Sequence, residues 1–226
     1  MNFSFDTNII LGIINSKDRL HETSIALMDN KRNEQLFLCH SAIKESHNVL
    51  RNKINEVMVD IIRFLPDIYQ SSSISTLDSQ AFLIDQFKNL KAAKPGLTNF
   101  LNLVYHEISI FLKDNEIDDL PDFLSELSLN LSNSIIFKIE ETHPNFEILF
   151  LNHDRLNNVK RSLAEIHFKD TNDGRIFQEL MTNLEDIKPI EFFLDDRDFA
   201  KKCDLGFANI ANDMDFVKSD FLCHQV

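Results

Sequence analysis

Four acids, far apart in the chain, each stand beside an apolar run: Asp6, Glu45, Asp173 and Asp196. Asp6 closes Phe3-Ser4-Phe5 and is followed by Thr7-Asn8 and then Ile9-Ile10-Leu11. Asp196 lies within Phe192-Phe193-Leu194-Asp195-Asp196-Arg197-Asp198-Phe199. Carboxylates at the ends of buried strands are costly to desolvate unless something cationic neutralises them. Four that converged on one cleft would repel one another strongly without a bound cation. Oxygen-only ligation favours Mg2+ or Mn2+ over zinc. The chemistry that follows is hydrolysis of phosphodiesters or phosphate esters.

Elements able to position these acids can be read from the apolar spacing. Residues 2–5 predict a first strand, 8–14 a short helix, and 17–33 a second helix with Ile25, Ala26 and Met28 inward. Leu36-Phe37-Leu38-Cys39 is a short buried strand. Ser41 then offers a helix N-cap, and Ile43, Leu50, Ile54, Val57, Ile61 and Leu65 keep helical spacing. Glu45 falls near the start of that helix and off its apolar stripe. From Pro66 to about Thr142 the texture changes, with breaks at Tyr69-Gln70-Ser71-Ser72-Ser73 and at Lys94-Pro95-Gly96. Between and after them, Thr98 caps a helix carrying Leu101, Val104, Ile108, Phe111 and Leu112. Pro121 opens another with Phe123, Leu124, Leu127 and Leu131. His153-Asp154 reads as the start of a polar loop, and a helix ends near Ile166. A further helix begins at Ile176-Phe177-Gln178-Glu179-Leu180, Ile190 to Leu194 is a buried strand, and Asp198 to Cys203 a short helix. Leu205 to Ile210 is the expected final strand. Strand, turn and helix in repeated order give an α/β fold with a parallel sheet. The whole is one domain over 1–226 with a helical insertion at about 66–142, whose stripes are core or, as the lesser alternative, a dimer or partner groove.

Composition narrows the class. Four Gly and five Pro in 226 residues disfavour a many-turned β fold. Cys39, Cys203 and Cys223 are odd in number with no CxxC pair, so neither a disulfide framework nor a zinc ribbon is expected. The N-terminal residues lack a basic leader pattern, and runs such as Phe146-Glu147-Ile148-Leu149-Phe150-Leu151 are too short for a membrane span. A reduced, soluble, cytoplasmic protein with no membrane partner is the expectation. The net charge of −13 works against broad nonspecific grip on nucleic acid. No HExxH, GxSxG, Walker or GxGxxG motif occurs. The basic pairs, among them Lys160-Arg161 and Lys201-Lys202, are solvated helix faces unless some rim the acidic cleft, where they would position phosphates.

Taken together, Asp6-Thr7-Asn8 after a first strand, Glu45 in the helix after the second, Asp173-Gly174-Arg175-Ile176 and Asp196-Arg197-Asp198-Phe199 resemble the PIN-domain ribonuclease family. The resemblance covers roughly 1–60 and 160–215. It implies a PIN-like three-layer fold around a central parallel sheet and a metal-dependent endoribonuclease, toxin-like or RNA-processing. Asp6, Glu45, Asp173 and Asp196 would be catalytic and hold one or two Mg2+ or Mn2+ ions. Thr7 and Asn8 would orient a ligand or shape the turn, with Asp170 and Asp198 as secondary candidates. RNA is the implied substrate, and a protein inhibitor or a second copy of the chain the further partner. The family often carries Ser or Thr two residues before the last acid, where this chain has Leu194.

Each piece also has a plainer meaning. Asp6-Thr7-Asn8 can cap a helix, Asp173 can be an N-cap with Asp170 solvated beside it, and Glu45 can be a solvated helix residue. Asp195, Asp196 and Asp198 can be the acidic first turn of a helix. Two other functions compete. One is a catalytically silent PIN-like module that binds RNA or protein. The other is a phosphatase of the haloacid-dehalogenase type, which needs a second Asp two positions after the first, where Asn8 stands.

Overall fold

Phe3 and Phe5 of the first strand, Leu36 and Leu38 of the second and Phe192 of a late one have no exposed surface, and their strands pair side by side. The computed structural model describes residues 1–72 and 76–226. Its strands are β1 (Asn2–Phe5), β2 (Leu36–Cys39), β3 (Phe146–Leu149), β4 (Ile190–Leu194) and β5 (Phe221–Gln225). Between them run α1 (Thr7–Ile14), α2 (His21–Asn30), α3 (His40–Ser72), α4 (Thr76–Ala93), α5 (Thr98–Phe111) and α6 (Leu120–Thr142). After β3 come α7 (His153–Ser162), α8 (Thr171–Ile187) and, past β4, α9 (Arg197–Met214). The strands form one sheet in the order β3-β2-β1-β4-β5, and every pairing is parallel. All four residues of β2 are buried, as are four of the five in β4. Successive strand residues face opposite sides, so burial of consecutive residues means that helices cover both faces. The result is an α/β fold of the three-layer kind. No described helix is long and apolar enough to cross a membrane.

The chain divides into two compact units. One comprises Met1–Ile14, Leu20–His47 and Ile135–Val226, and contains the sheet. The other comprises Asn15–Arg19 and Asn48–Ser134 and is helical; it begins well before residue 66, where the change of texture had placed it, and closes before 142. Its interior is built as the stripes predict. Leu50, Ile54, Val57 and Ile61 are buried, as are Leu101, Val104, Ile108, Leu124 and Leu127, while Phe111, Phe123 and Leu131 are half-buried. Phe111 stacks on Phe123 at 4.2 Å between ring centroids, and Lys94 bridges to Glu56 and Asp60.

Several expectations are corrected. Leu205 to Ile210 is not a strand: Phe199, Cys203, Gly206, Phe207 and Ile210 recur at helical spacing and form the buried face of α9. That helix ends where Asp215 adopts the left-handed conformation (φ 58°). The last strand is β5, and β3 is a further strand that the sequence reading left as an apolar run. His153-Asp154 is the first turn of α7, capped by Asn152, whose side chain accepts from the Asp154 N–H. Helix α2 starts at His21, and Ala26 is exposed while Ser24 and Met28 face inward. Thr98 does not cap α5; its hydroxyl turns back to the Pro95 carbonyl at 2.9 Å. The backbone is helical through Ser72, replacing the expected loop, while Ser73 and the side chain of Leu65 lie outside the described residues.

Helix α8 fits its environment through Ile176, Phe177, Leu180, Leu184 and Ile187, all buried. The Phe177 ring meets Phe168 and Phe221 and also lies against Gly206 of α9. A Cβ at Gly206 would sit 2.7 Å from the Phe177 ring and 3.0 Å from Leu163. Phe177 is fully buried and Leu163 is 6% exposed. Overpacking of this kind costs about 1–3 kcal/mol, offset by up to about 1 kcal/mol of helix propensity. Gly206→Ala is therefore expected to lower unfolding stability by about 1–2 kcal/mol, read as a reduced urea midpoint at unchanged slope.

Candidate functional site

The parallel pairing of β1 with β4 puts Phe5 opposite Phe193, and the Asp6 N–H donates to the Phe193 carbonyl at 2.9 Å. The carboxyl ends of the two central strands are thus level, although their residues are far apart in sequence. The chain order reverses here, with β2 and β3 to one side of β1 and β4 and β5 to the other, which is where open parallel sheets bind ligands. A cleft of ≈ 340 Å³ opens at this point. Asp6, Asn8, Glu45, Asp170, Asp173, Asp196 and Asp198 line it, together with Lys169, Phe199 and Lys202. All four predicted acids are brought to one cleft.

Their environments differ. Asp6 is 3% exposed and its Oδ1 has no hydrogen-bond partner. Burial pushes its carboxyl up to about 7 against the pull of the Thr7 and Asn8 N–H groups, and the charges of Asp173 and Glu45 push it further. Asp173 is half-buried and raised to about 6, first by desolvation and then by Asp170, Glu45, Asp196 and Asp198. The Thr7 hydroxyl donates to Glu45 Oε2 at 2.8 Å, so Thr7 orients an acid from a different element. Asn8 is exposed at the cleft.

The helix caps decide which acids remain free. Asp170, not Asp173, is the N-cap of α8, accepting from the Asn172 N–H at 2.8 Å. Asp173 falls one turn further in and projects into the cleft. Asp196 caps α9, its Oδ1 accepting from the N–H groups of Asp198 and Phe199 at 2.7 and 3.0 Å. Its capping role is real and occupies that one oxygen. Leu194 is fully buried at the end of β4 and contributes nothing to the lining.

Glu179 passed unnoticed in the sequence. It is buried on α8 and accepts from the Ser41 N–H at 2.9 Å and the Ser41 hydroxyl at 2.7 Å. Ser41 is thus not itself the cap: a carboxylate from α8 closes the N-terminus of α3, the helix that carries Glu45. Its sequence signal is faint, a single acid at a position whose neighbours Ile176, Leu180 and Leu184 form an apolar stripe.

All donors in the cleft apart from the two lysines are oxygens or the Asn8 amide, and the buried Oδ1 of Asp6 is unpaired. That chemistry fits a hard divalent cation. Among the described residues, no three His, Cys, Asp or Glu side chains close on one point as a ready-made cage. An open set completed by water is the usual setting for Mg2+, which dehydrates reluctantly and binds through one or two carboxylates.

The raised carboxyls set a pH dependence. A group whose pKa is higher folded than unfolded binds more protons in the folded state, so stability falls as pH rises through the interval between the two values. For Asp6 the penalty is absent below about 4 and complete above about 7, on the order of 4 kcal/mol. Asp6→Asn is expected to remove it. In metal-free buffer the variant should gain stability over the wild type at pH 8 and little at pH 4.5, measured by thermal melts.

The chain matches no known protein family, no curated protein and no solved structure, so the reading of this cleft rests on its own geometry.

Proposed function

We propose that the cleft is the active site of a Mg2+- or Mn2+-dependent endoribonuclease with a PIN-like arrangement, working in the cytoplasm. The observation that carries this reading is the unpaired, buried Asp6 oxygen at the head of the central strand, facing Glu45 and Asp173 with Asp196 on the same cleft. A carboxylate so placed is destabilised by burial and by its anionic neighbours, and a divalent cation would relieve both. RNA as substrate follows from the resemblance of the four acidic motifs to that family.

Asp6, Asp173 and Glu45 would hold the cation, with Asp196 contributing the oxygen not engaged in capping. A bound divalent ion supplies an acidified water and neutralises charge developing on the phosphate. Thr7 holds Glu45 in place, and Glu179 fixes the first turn of its helix. Asp6 and Asp173, with carboxyls raised to about 7 and about 6, would bind such an ion in competition with protons. Asn8 offers an exposed amide to a phosphate or sugar. It also stands where a haloacid-dehalogenase phosphatase needs its second Asp, so that chemistry has no support here.

A second reading is favoured by the absence of a closed ligand cage among the described residues: a silent PIN-like module that binds RNA or protein through the same cleft. Two measurements separate them. In the enzyme, Mn2+ titrated by calorimetry binds with proton release, and Asp6→Asn or Asp196→Asn lowers metal-dependent RNA cleavage by about two to three orders of magnitude or more. Asp6→Asn should at the same time leave thermal stability unchanged or raised. Retained cleavage in both variants sinks the enzyme assignment, and no Mn2+ binding at millimolar concentration favours the silent module.

A further inference from the structure

The cleft has cations as well as acids, and they lie together. Lys169 precedes the α8 cap Asp170, and Lys202 sits in the second turn of α9. The Lys202 ammonium donates to the His167 carbonyl, which fixes it two residues from Lys169 along the chain. Both line the cleft. Lys169 is exposed and Lys202 half-exposed, so neither ammonium is consumed by the core. Six carboxylates line the same cleft, and if cations were needed only to offset them, ion pairs would be the expected outcome. No ion pair joins either lysine to those six acids among the described residues. One of the two is instead tied to a backbone carbonyl beside the other.

Resting on the nuclease reading, we propose that Lys169 and Lys202 form a phosphate-binding wall that holds the backbone of a single-stranded nucleic acid, next to the phosphate that reaches the acids. Lysine binds phosphate as a point charge and needs no fixed fork geometry, which suits contacts that position a backbone without reading sequence. The cleft volume of ≈ 340 Å³ is at the lower end of small-molecule pockets, which suits entry of one unpaired nucleotide at a time. Lys169 lies just before α8 and Lys202 on α9, so the flanking phosphate of the strand lies beside these elements.

The test is binding, not turnover. A fluorescein-labelled oligouridylate is titrated by anisotropy into the full chain with Ca2+ in place of Mg2+, across a series of salt concentrations. Each lysine that neutralises a phosphate adds about 0.7 to the magnitude of the slope of log K against log salt for single strands. Lys169→Gln and Lys202→Gln should each lower the slope by about that amount, and the double variant by about 1.4. Lys202→Arg, which keeps the charge, should retain it. Unchanged melting temperatures in all variants exclude unfolding as the cause. An unaltered slope in the double variant overturns the proposal, as does failure of the wild type to bind. Equal, lysine-dependent binding of a duplex of the same length overturns the single-strand assignment. Cleavage that survives Asp6→Asn and Asp196→Asn would instead remove the nuclease reading while leaving a lysine-dependent slope intact.

Discussion

Burying a carboxylate at the head of the central strand is the constraint around which the sheet-bearing unit is arranged. Asp6 follows β1, which is paired on both sides, so its backbone position is fixed by the ladder and cannot swing outward to water. The amides of the first turn of α1 offset part of the desolvation, yet one oxygen remains without a donor. No lysine or arginine pairs with it among the described residues. Its named electrostatic neighbours, Asp173 and Glu45, are anionic and deepen the penalty. A protein selected for stability alone would place an amide or an apolar group there. Strain of this kind, maintained by an otherwise well-packed sheet, is what the proposed cation would relieve.

The acids around Asp6 divide into those that serve the fold and those that do not. Asp170 and Asp196 satisfy the orphan amides of α8 and α9, and Glu179 does the same for α3 from across the layer. These three set where the helices begin. Because α8 begins at Thr171, Asp173 is carried into the cleft and not onto the cap. Because Glu179 closes the first turn of α3, Glu45 arrives within reach of the Thr7 hydroxyl. Caps worth about 1 kcal/mol each thereby determine where Asp173 and Glu45 sit in the cleft.

This division explains what the sequence could and could not convey. β1, β2 and β4 were legible because central parallel strands are apolar throughout and the acids interrupt them abruptly. β3 and β5 lie at the sheet edges, where Glu147, His224 and Gln225 remain partly in contact with water, and their patterns carry no such contrast. Leu205 to Ile210 misled because a dense apolar stretch inside a long amphipathic helix imitates a buried strand in a short window; only the spacing from Phe199 to Ile210 distinguishes them. Asp6 and Asp196 could be placed from strand ends alone. The choice between Asp170 and Asp173 could not, since either could cap a helix whose first residue was unknown. Lys169 was not singled out, and Lys202 was named only within a basic pair whose placement could not be read, because the direction of a surface lysine is set by tertiary neighbours, for Lys202 the His167 carbonyl.

The cleft then poses an electrostatic problem that its own residues solve only in part. A polyanion approaching a chain of net charge −13 is repelled at long range. At physiological ionic strength that field is screened beyond about 8 Å, so the local walls decide whether a strand can settle. In the cleft two ammonium groups stand among six carboxylates, which repel phosphate unless their charge is neutralised. On the proposed reading, metal uptake and substrate entry would be coupled by charge without any moving part. On that reading, a cleft with neither ion nor proton on Asp6 would repel a phosphate, while one holding a divalent ion would take it beside the lysines. The buried carboxylate that costs the fold stability would then make entry of the proposed substrate conditional on the proposed ion.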